Sequence, residues 1–281
     1  MRLQPCGIDL GPVHGDDLTV ETTIYKDYPT HVLVPGKGKL PVLFACDHAS
    51  PHIPDELNKL GVVEELLHDH IAWDIGAADV ARELGRLLEA PVVLATHSRL
   101  VVDCNRNLDD PTAFPAVSDG VQVPGNAGLS ADERMNRANA FFWPYHHAVR
   151  DELRRLEEYA SAPALIGVHS FTPEMGGYQR PWHIGALWDK DERLARGFMN
   201  ELANKPEVVV GDNEPYSGRH PADFTLDHHA EAEGLPHLGI EVRQDLIDTE
   251  AGAIEWAGIL AEALFPVLED DNLYTHRAGV L

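Results

Sequence analysis

Side chains that can bind metals or transfer protons follow short apolar segments at four places in this 281-residue chain. The four groups are Asp47-His48, Asp103-Cys104-Asn105-Arg106, His169-Ser170 and Glu241-Val242-Arg243. Histidine is both a common metal ligand and an acid–base group near neutral pH. Each group taken alone is also typical of a hydrogen-bonded loop or turn. Four such groups in one chain favour a functional site over four unrelated loops.

The apolar segments have the length of strands and alternate with amphipathic helices. The predicted strands are residues 41–46, 91–95, 100–102, 164–168, 184–188, 208–210 and 238–242. The predicted helices are residues 74–89, 189–205 and 250–264, and a further helix begins at the capping box Ser130-Ala131-Asp132-Glu133. We therefore expect a three-layer α/β/α fold with a mixed, mainly parallel sheet. The sequence predicts a single domain over residues 1–281, with an irregular segment at residues 1–40.

A parallel sheet would bring the four polar groups together, because ligands bind outside the carboxyl ends of its strands. Composition limits what that ligand can be. The chain has 22 Lys and Arg against 46 Asp and Glu, a formal net charge of −24, which would repel a nucleic acid. No apolar run approaches the roughly 20 residues that span a bilayer, and the N-terminal sequence lacks the profile of a signal peptide. We expect a cytoplasmic protein with neither nucleic-acid nor membrane partners.

The sequence resembles the N-formylglutamate amidohydrolase family over the block from His48 to Asp245. The resemblance is carried by CDHASPHIP at residues 46–54, HIAWDIGA at 70–77, RLVVDCNRN at 99–107, GVHSF at 167–171, NEPYSG at 213–218 and GIEVRQDLI at 239–247. Members of this family look like distant relatives of zinc carboxypeptidases and aspartoacylases. The resemblance implies a phosphorylase/hydrolase-like fold and a zinc-dependent amidohydrolase with one zinc ion per chain.

The resemblance implies that His48 and His169 are zinc ligands. The carboxypeptidase pattern has a Glu three residues after the first His, whereas Pro51 stands at that position here. Asp74 is the expected third ligand, and a role as the cap of the helix that begins there is equally open. Asp47 is a weaker candidate, because it could instead orient His48 from outside the ligand set.

The same resemblance implies that Glu241 accepts a proton from water and delivers it to the leaving amine. Partial burial at the end of an apolar strand would raise the pKa of this carboxyl towards neutrality. The alternative is a structural Glu that pairs with Arg243.

Substrate binding is implied for Arg106 and Asn105, which resemble a clamp for a carboxylate. Arg243 and Arg99 are candidates for a second carboxylate or for the oxyanion, and ion pairs of Arg99 or Arg106 with Asp103 are the alternative. Two further residues are expected at the substrate: His229, which could instead lie at a solvated helix start, and Tyr216, in a pocket loop.

The expected reaction is hydrolysis of the amide of a small, anionic N-acyl amino acid. N-formyl-L-glutamate is the first expected substrate, and its products would be L-glutamate and formate. A carboxypeptidase-like or other N-acyl amino acid hydrolase is the alternative, because pocket loops decide the substrate. The missing Glu after His48 also leaves open a catalytically silent relative that binds a metal or a ligand.

Overall fold

The structure is a computed structural model that describes Tyr25, residues 29–219 and residues 223–277. Its strands are β1 (His31–Val34), β2 (Val42–Cys46), β3 (Val92–Ala95), β4 (Val117–Ser118), β5 (Val121–Gln122), β6 (Ala164–Phe171), β7 (Glu174–Met175), β8 (Tyr178–Gln179), β9 (Ile184–Leu187), β10 (Val210–Asp212) and β11 (His237–Arg243). Its α-helices are α1 (Glu64–Leu67), α2 (Ala77–Leu87), α3 (Ala131–Arg137), α4 (Trp143–Leu156), α5 (Arg193–Leu202), α6 (Phe224–Leu226) and α7 (Glu250–Leu268).

Seven strands form the central sheet of the described part of the chain, in the order β1-β3-β2-β6-β11-β9-β10. Neighbouring strands are parallel except for the pairs β1–β3 and β11–β9. The prediction of a mixed, mainly parallel sheet is therefore confirmed. Because β2, β6 and β11 are parallel neighbours, their carboxyl ends meet at one edge of the sheet.

The central strands β2 and β3 are apolar throughout because their alternate residues enter two different cores. In β2, Phe44 packs in the core beneath α2, α5 and α7, whereas Leu43 packs in the core on the opposite face, beneath α4. Helices thus cover both faces of the sheet, which confirms the three-layer arrangement. The capping box is also present, since the Ser130 hydroxyl accepts from the Glu133 N–H and the Glu133 carboxylate accepts from the Ser130 N–H.

Two predictions of secondary structure were wrong, and the strand predicted at residues 208–210 lies two residues later, as β10. Residues 31–34, within the segment expected to be irregular, form strand β1, because pairing with β3 satisfies their backbone groups at the sheet edge. Residues 29–30 and 35–40 form neither helix nor strand, as predicted, and residues 1–24 and 26–28 lie outside the described residues. Residues 100–102 are buried but form a turn, because the Ser98 hydroxyl accepts from the Leu100 N–H and donates to the Ala72 carbonyl.

Helix α7 is long and apolar enough, by length and composition, to cross a membrane. The sequence patterning did not identify such a segment. In the structure α7 contacts α2 and α5, and Ala257, Leu260 and Leu264 on its inner side are buried in the core. These contacts are those of a core helix of the three-layer fold.

Candidate metal and substrate site

Three side chains that can bind a metal ion meet at the carboxyl edge of the sheet. His48 follows β2, His169 lies within β6, and Asp74 lies in the turn before α2, where its N–H donates to the His48 carbonyl at 3.0 Å. Ligand atoms of the three residues all lie within 4.8 Å of one another, and all three side chains are buried. Two imidazoles and a carboxylate are a donor set that suits a metal ion of the catalytic type.

The Asp74 carboxylate faces both histidines rather than the helix that follows it. Its Oδ2 atom lies 2.9 Å from His169 Nδ1 and 3.3 Å from His48 Nδ1. Helix α2 is preceded by Gly76 at a φ of 79° and has no side-chain cap. A Cβ at Gly76 would lie 2.1 Å from the Ile247 carbonyl oxygen, so glycine is required where the chain leaves Asp74.

A buried carboxylate lies beside the second ring nitrogen of each histidine. His48 Nε2 lies 2.7 Å from Asp103 Oδ1, and His169 Nε2 lies 3.4 Å from Asp47 Oδ2. In metal sites a carboxylate at this position fixes the ring and its tautomer, which leaves the other nitrogen for the metal. Both Nδ1 atoms, which face Asp74, are thereby the ones available to a metal ion.

Asp103 is held in its ionised form by its neighbours. Burial opposes its ionisation, but the charges of Arg99 and His48 and the hydrogen bond from His48 outweigh it and hold its pKa well below the ordinary value. Arg99 donates to Asp103 Oδ2 from Nη2 at 2.8 Å and from Nε at 3.0 Å, and its Nη1 lies 3.6 Å from Asp74 Oδ1. The Arg99 guanidinium is therefore bound to carboxylates of the site itself.

Glu241 lies beside His169 in the register of the parallel pair β11–β6. Burial raises the pKa of its carboxyl from 4.5 to about 7, although the nearby positive charge of His169 opposes the rise. Its Oε2 atom is buried and has no hydrogen-bond partner among the described residues. A carboxyl with these properties can take up and release a proton near neutral pH.

A cavity of about 700 Å³ opens over these groups. Several of the residues predicted from the sequence line it, namely His48, Asp74, Arg99, Asn105, Arg106, His169, Tyr216 and Glu241. Asn105 is buried, whereas Arg106 is partly exposed and donates from Nη1 to the Asn105 carbonyl at 2.8 Å. The metal-binding candidates, the proton-transfer candidate and the carboxylate-binding candidates thus share one cavity.

Two predicted substrate residues lie outside the lining of this cavity. Arg243 pairs with Asp245, with Nε 2.7 Å from Oδ1, because the side chain at the end of β11 turns to the carboxylate two residues further on. His229 is buried behind the site, where its Nε2 lies 3.1 Å from His146 Nδ1. Burial lowers the pKa of His146 to about 3 and that of His229 well below its ordinary value, so both rings are uncharged near neutral pH.

Sequence reasoning missed the role of three residues in this site. Asp103 was considered as an ion-pair partner of arginine, but it also holds His48. Asp47 was expected beside His48, whereas it lies beside His169. Thr225 was not considered at all, although it donates to Asp47. The place of Asp103 in the DCNRN segment indicates a role in the site. No pattern in the sequence links Thr225 to Asp47, because the two residues lie 178 positions apart.

A sequence profile of the family described as N-formylglutamate amidohydrolase matches residues 40–248 of the chain. A Pseudomonas putida protein named N-formylglutamate deformylase is 34% identical over 147 residues, which cover 48% of this chain and 53% of that protein. A Pseudomonas aeruginosa protein of the same name is 27% identical over 256 residues, which cover 83% of this chain and 92% of that protein. The chain thus spans about half of the first relative and most of the second.

Two solved structures share the fold. A gene product from Agrobacterium tumefaciens is 35% identical, with a TM-score of 0.81, and the match covers 86% of this chain and 96% of that one. The N-formylglutamate amidohydrolase from Ralstonia eutropha is 21% identical, with a TM-score of 0.63, over 87% of this chain and 97% of that one. These two proteins therefore share the fold of this chain.

Proposed function

The chain belongs to the N-formylglutamate amidohydrolase family, and from this premise we propose that it hydrolyses the amide of a small N-acyl amino acid with the help of one zinc ion. The first substrate we propose is N-formyl-L-glutamate. Water adds its oxygen to the formyl carbon, the C–N bond breaks, and the nitrogen leaves with a proton as the amine of L-glutamate, so formate is the second product.

One observation supports this proposal above the others. The cavity combines His48, Asp74 and His169 with the buried, unpartnered Oε2 of Glu241. We propose the first three residues as the zinc ligands, since two imidazoles and one carboxylate are typical of a catalytic zinc site. Zinc bound there would polarise the carbonyl and make water a stronger nucleophile near neutral pH.

Glu241 is proposed as the group that moves the proton. An acid–base group works best when its pKa lies near the working pH, and burial brings the pKa of Glu241 to about 7. The carboxylate takes a proton from the attacking water and then donates it to the nitrogen of the breaking amide. Its place on β11, beside His169 on β6, holds it in the cavity without any movement of the sheet.

Asn105 and Arg106 are proposed to hold a carboxylate of the substrate, because a guanidinium and an amide can bind its two oxygens together. Arg99 has a different role in this proposal. Its guanidinium pairs with Asp103 and Asp74, so it steadies carboxylates of the site and does not receive the substrate. Tyr216 lines the mouth of the cavity, where its ring packs against the Arg180 guanidinium at 5.0 Å.

Formate release from N-formyl-L-glutamate by the purified, zinc-loaded protein tests the proposal directly. Glu241→Gln is expected to bind zinc as the unaltered protein does and to lose at least 100-fold in kcat, the size of a typical acid–base contribution. Glu255→Gln, which changes an exposed Glu on α7, is the matched control and should keep full activity.

Zinc content and turnover separate the parts of the proposal. About one zinc per chain is expected, together with formate release that depends on it. A protein that binds no zinc and hydrolyses none of the N-formyl and N-acetyl amino acids would contradict the proposed function. An active Glu241→Gln variant would instead remove only the role of Glu241.

A further inference from the structure

A buried chain of contacts connects the two histidines of the proposed zinc site by a route that avoids the zinc position. We name it the arc, and its members are His48, Asp103, Asn105, Thr225, Asp47 and His169. Each of the six is at most 6% exposed. Since water is excluded from the arc, each of its polar contacts must be made within the protein.

The first half of the arc connects His48 to the substrate-binding candidate Asn105. Asp103 Oδ1 lies 2.7 Å from His48 Nε2 and also accepts from the Asn105 backbone N–H at 2.8 Å. One carboxylate oxygen thus fixes both a proposed zinc ligand and the backbone of the carboxylate clamp.

The second half of the arc depends on Thr225. Its backbone N–H donates to the side-chain Oδ1 of Asn105 at 3.1 Å, and its hydroxyl donates to Asp47 Oδ1 at 2.7 Å. The residue is fully buried in α6, and Asp223 caps this turn by accepting from the Leu226 N–H. Thr225 therefore contacts Asn105 through its backbone and Asp47 through its side chain.

Asp47 completes the arc at His169. With Oδ1 held by Thr225, the other oxygen, Oδ2, lies 3.4 Å from His169 Nε2. Neither atom meets the geometry of a hydrogen bond with any described residue, so the contact between them is an ion-pair contact. The Thr225 hydroxyl thus orients the Asp47 carboxylate towards the His169 ring, and the Tyr145 hydroxyl also interacts with this carboxylate.

We propose that Thr225 is a positioning residue: through Asp47 it fixes the His169 ring so that Nδ1 is presented to the zinc ion. This inference rests on the proposed function, because it takes His169 as a zinc ligand. The physical reason is that a carboxylate beside one imidazole nitrogen fixes the tautomer and leaves the other nitrogen free to bind a metal. Thr225 itself touches neither zinc nor substrate.

Thr225→Val tests this role, because valine keeps the shape of threonine and loses only the hydroxyl. Thr225→Ser restores the hydroxyl in the same place. Thr96→Val is the matched control, since Thr96 is also buried and its hydroxyl donates outside the arc, to the Pro29 carbonyl. Zinc affinity is measured by competition with a chromophoric chelator, and kcat and KM are measured on the zinc-loaded proteins.

We expect Thr225→Val to weaken zinc binding by about tenfold and to lower kcat by a similar factor, as losses around metal ligands do. KM should stay nearly unchanged, because the backbone N–H of residue 225 still holds Asn105. Thr225→Ser should bind zinc and turn over substrate as the unaltered protein does, and Thr96→Val should do the same.

Equal zinc affinity and kcat in Thr225→Val and Thr96→Val would overturn the inference. An unaltered protein that neither binds zinc nor hydrolyses substrate would contradict the proposed function instead. If Thr225→Val does not fold, Asp47→Asn decides, because it keeps the size of the side chain and removes the charge beside His169. Unchanged zinc affinity in that variant would also overturn the inference.

Discussion

Glu231 is a buried carboxylate close to β11, the strand that carries Glu241. Its contribution to the free energy of unfolding can be measured as a function of pH. Glu231 is 5% exposed and lies just before β11, where its Oε2 is 3.2 Å from His237 Nε2 and its Oε1 is 3.2 Å from Arg277 Nη2. Burial opposes ionisation of Glu231, but the hydrogen bond and charge of His237 prevail and lower its pKa from 4.5 to about 2. Glu231→Gln removes the charge and keeps the size of the side chain.

The sign and size of the effect follow from linkage. A carboxyl whose pKa is lower in the folded than in the unfolded protein stabilises the fold above the unfolded pKa and loses this contribution as the pH falls through the folded pKa. At 1.36 kcal/mol per pKa unit, the drop in the pKa of Glu231 corresponds to about 3 kcal/mol at pH 5 to 7. Between pH 4.5 and pH 2 the contribution disappears, and about 1 kcal/mol is left at pH 3.

Urea unfolding of the unaltered protein and of Glu231→Gln at pH 7, 5 and 3 measures this difference. Glu233→Gln, two residues further along and exposed, is the matched control and should change the free energy of unfolding by less than about 0.5 kcal/mol. A loss for Glu231→Gln below about 1 kcal/mol at pH 7, or a loss of the same size at pH 7 and pH 3, would refute the reasoning.

Two further predictions concern backbone positions. Gly185→Ala would place a Cβ 2.3 Å from the Glu214 carbonyl oxygen and 3.2 Å from the Cβ of Glu241, so we expect a loss of about 2 kcal/mol in stability and a lower kcat. Gly258→Ala, where nothing lies within 4 Å, should not destabilise the protein, and denaturant unfolding compares the two. Ser130→Ala should cost about 1 kcal/mol by the same assay, because it removes the helix cap, and an unchanged stability would mean that the cap contributes nothing.

The central part of the fold could be predicted from the sequence because burial on both faces leaves a local pattern. A strand such as β2 must be apolar at every position when its alternate residues enter two cores. The turn at residues 100–102 has the same apolar composition because it is equally buried, and composition alone does not distinguish the two. Its hydrogen bonds to Ser98 decide the outcome, and they depend on the position of Ala72 in the folded chain.

In the site, too, some features follow from the local sequence and others depend on parts of the chain that are distant in sequence. His48 follows a buried strand, whereas His169 and Glu241 lie near the carboxyl ends of theirs, and the parallel sheet alone brings such residues together. Arg243 also follows this pattern, yet it lies outside the cavity lining because Asp245 is within its reach. The local sequence predicts which edge of the sheet a side chain lies near. The group with which that side chain pairs depends on the tertiary structure.

The charge of the site gives a separate argument for a bound cation. Asp47, Asp74 and Asp103 are buried, and the positive groups around them lower the pKa of each despite that burial. A metal ion binds neutral imidazoles, and when both histidines are neutral Arg99 offsets only one of the three charges, which leaves an excess of two negative charges at the site. Buried charge without compensation is costly, and a divalent cation among His48, Asp74 and His169 would supply the compensation. The anionic substrate proposed above is compatible with the acidic composition of the chain, because a cation bound by these carboxylates would concentrate positive charge in the cavity.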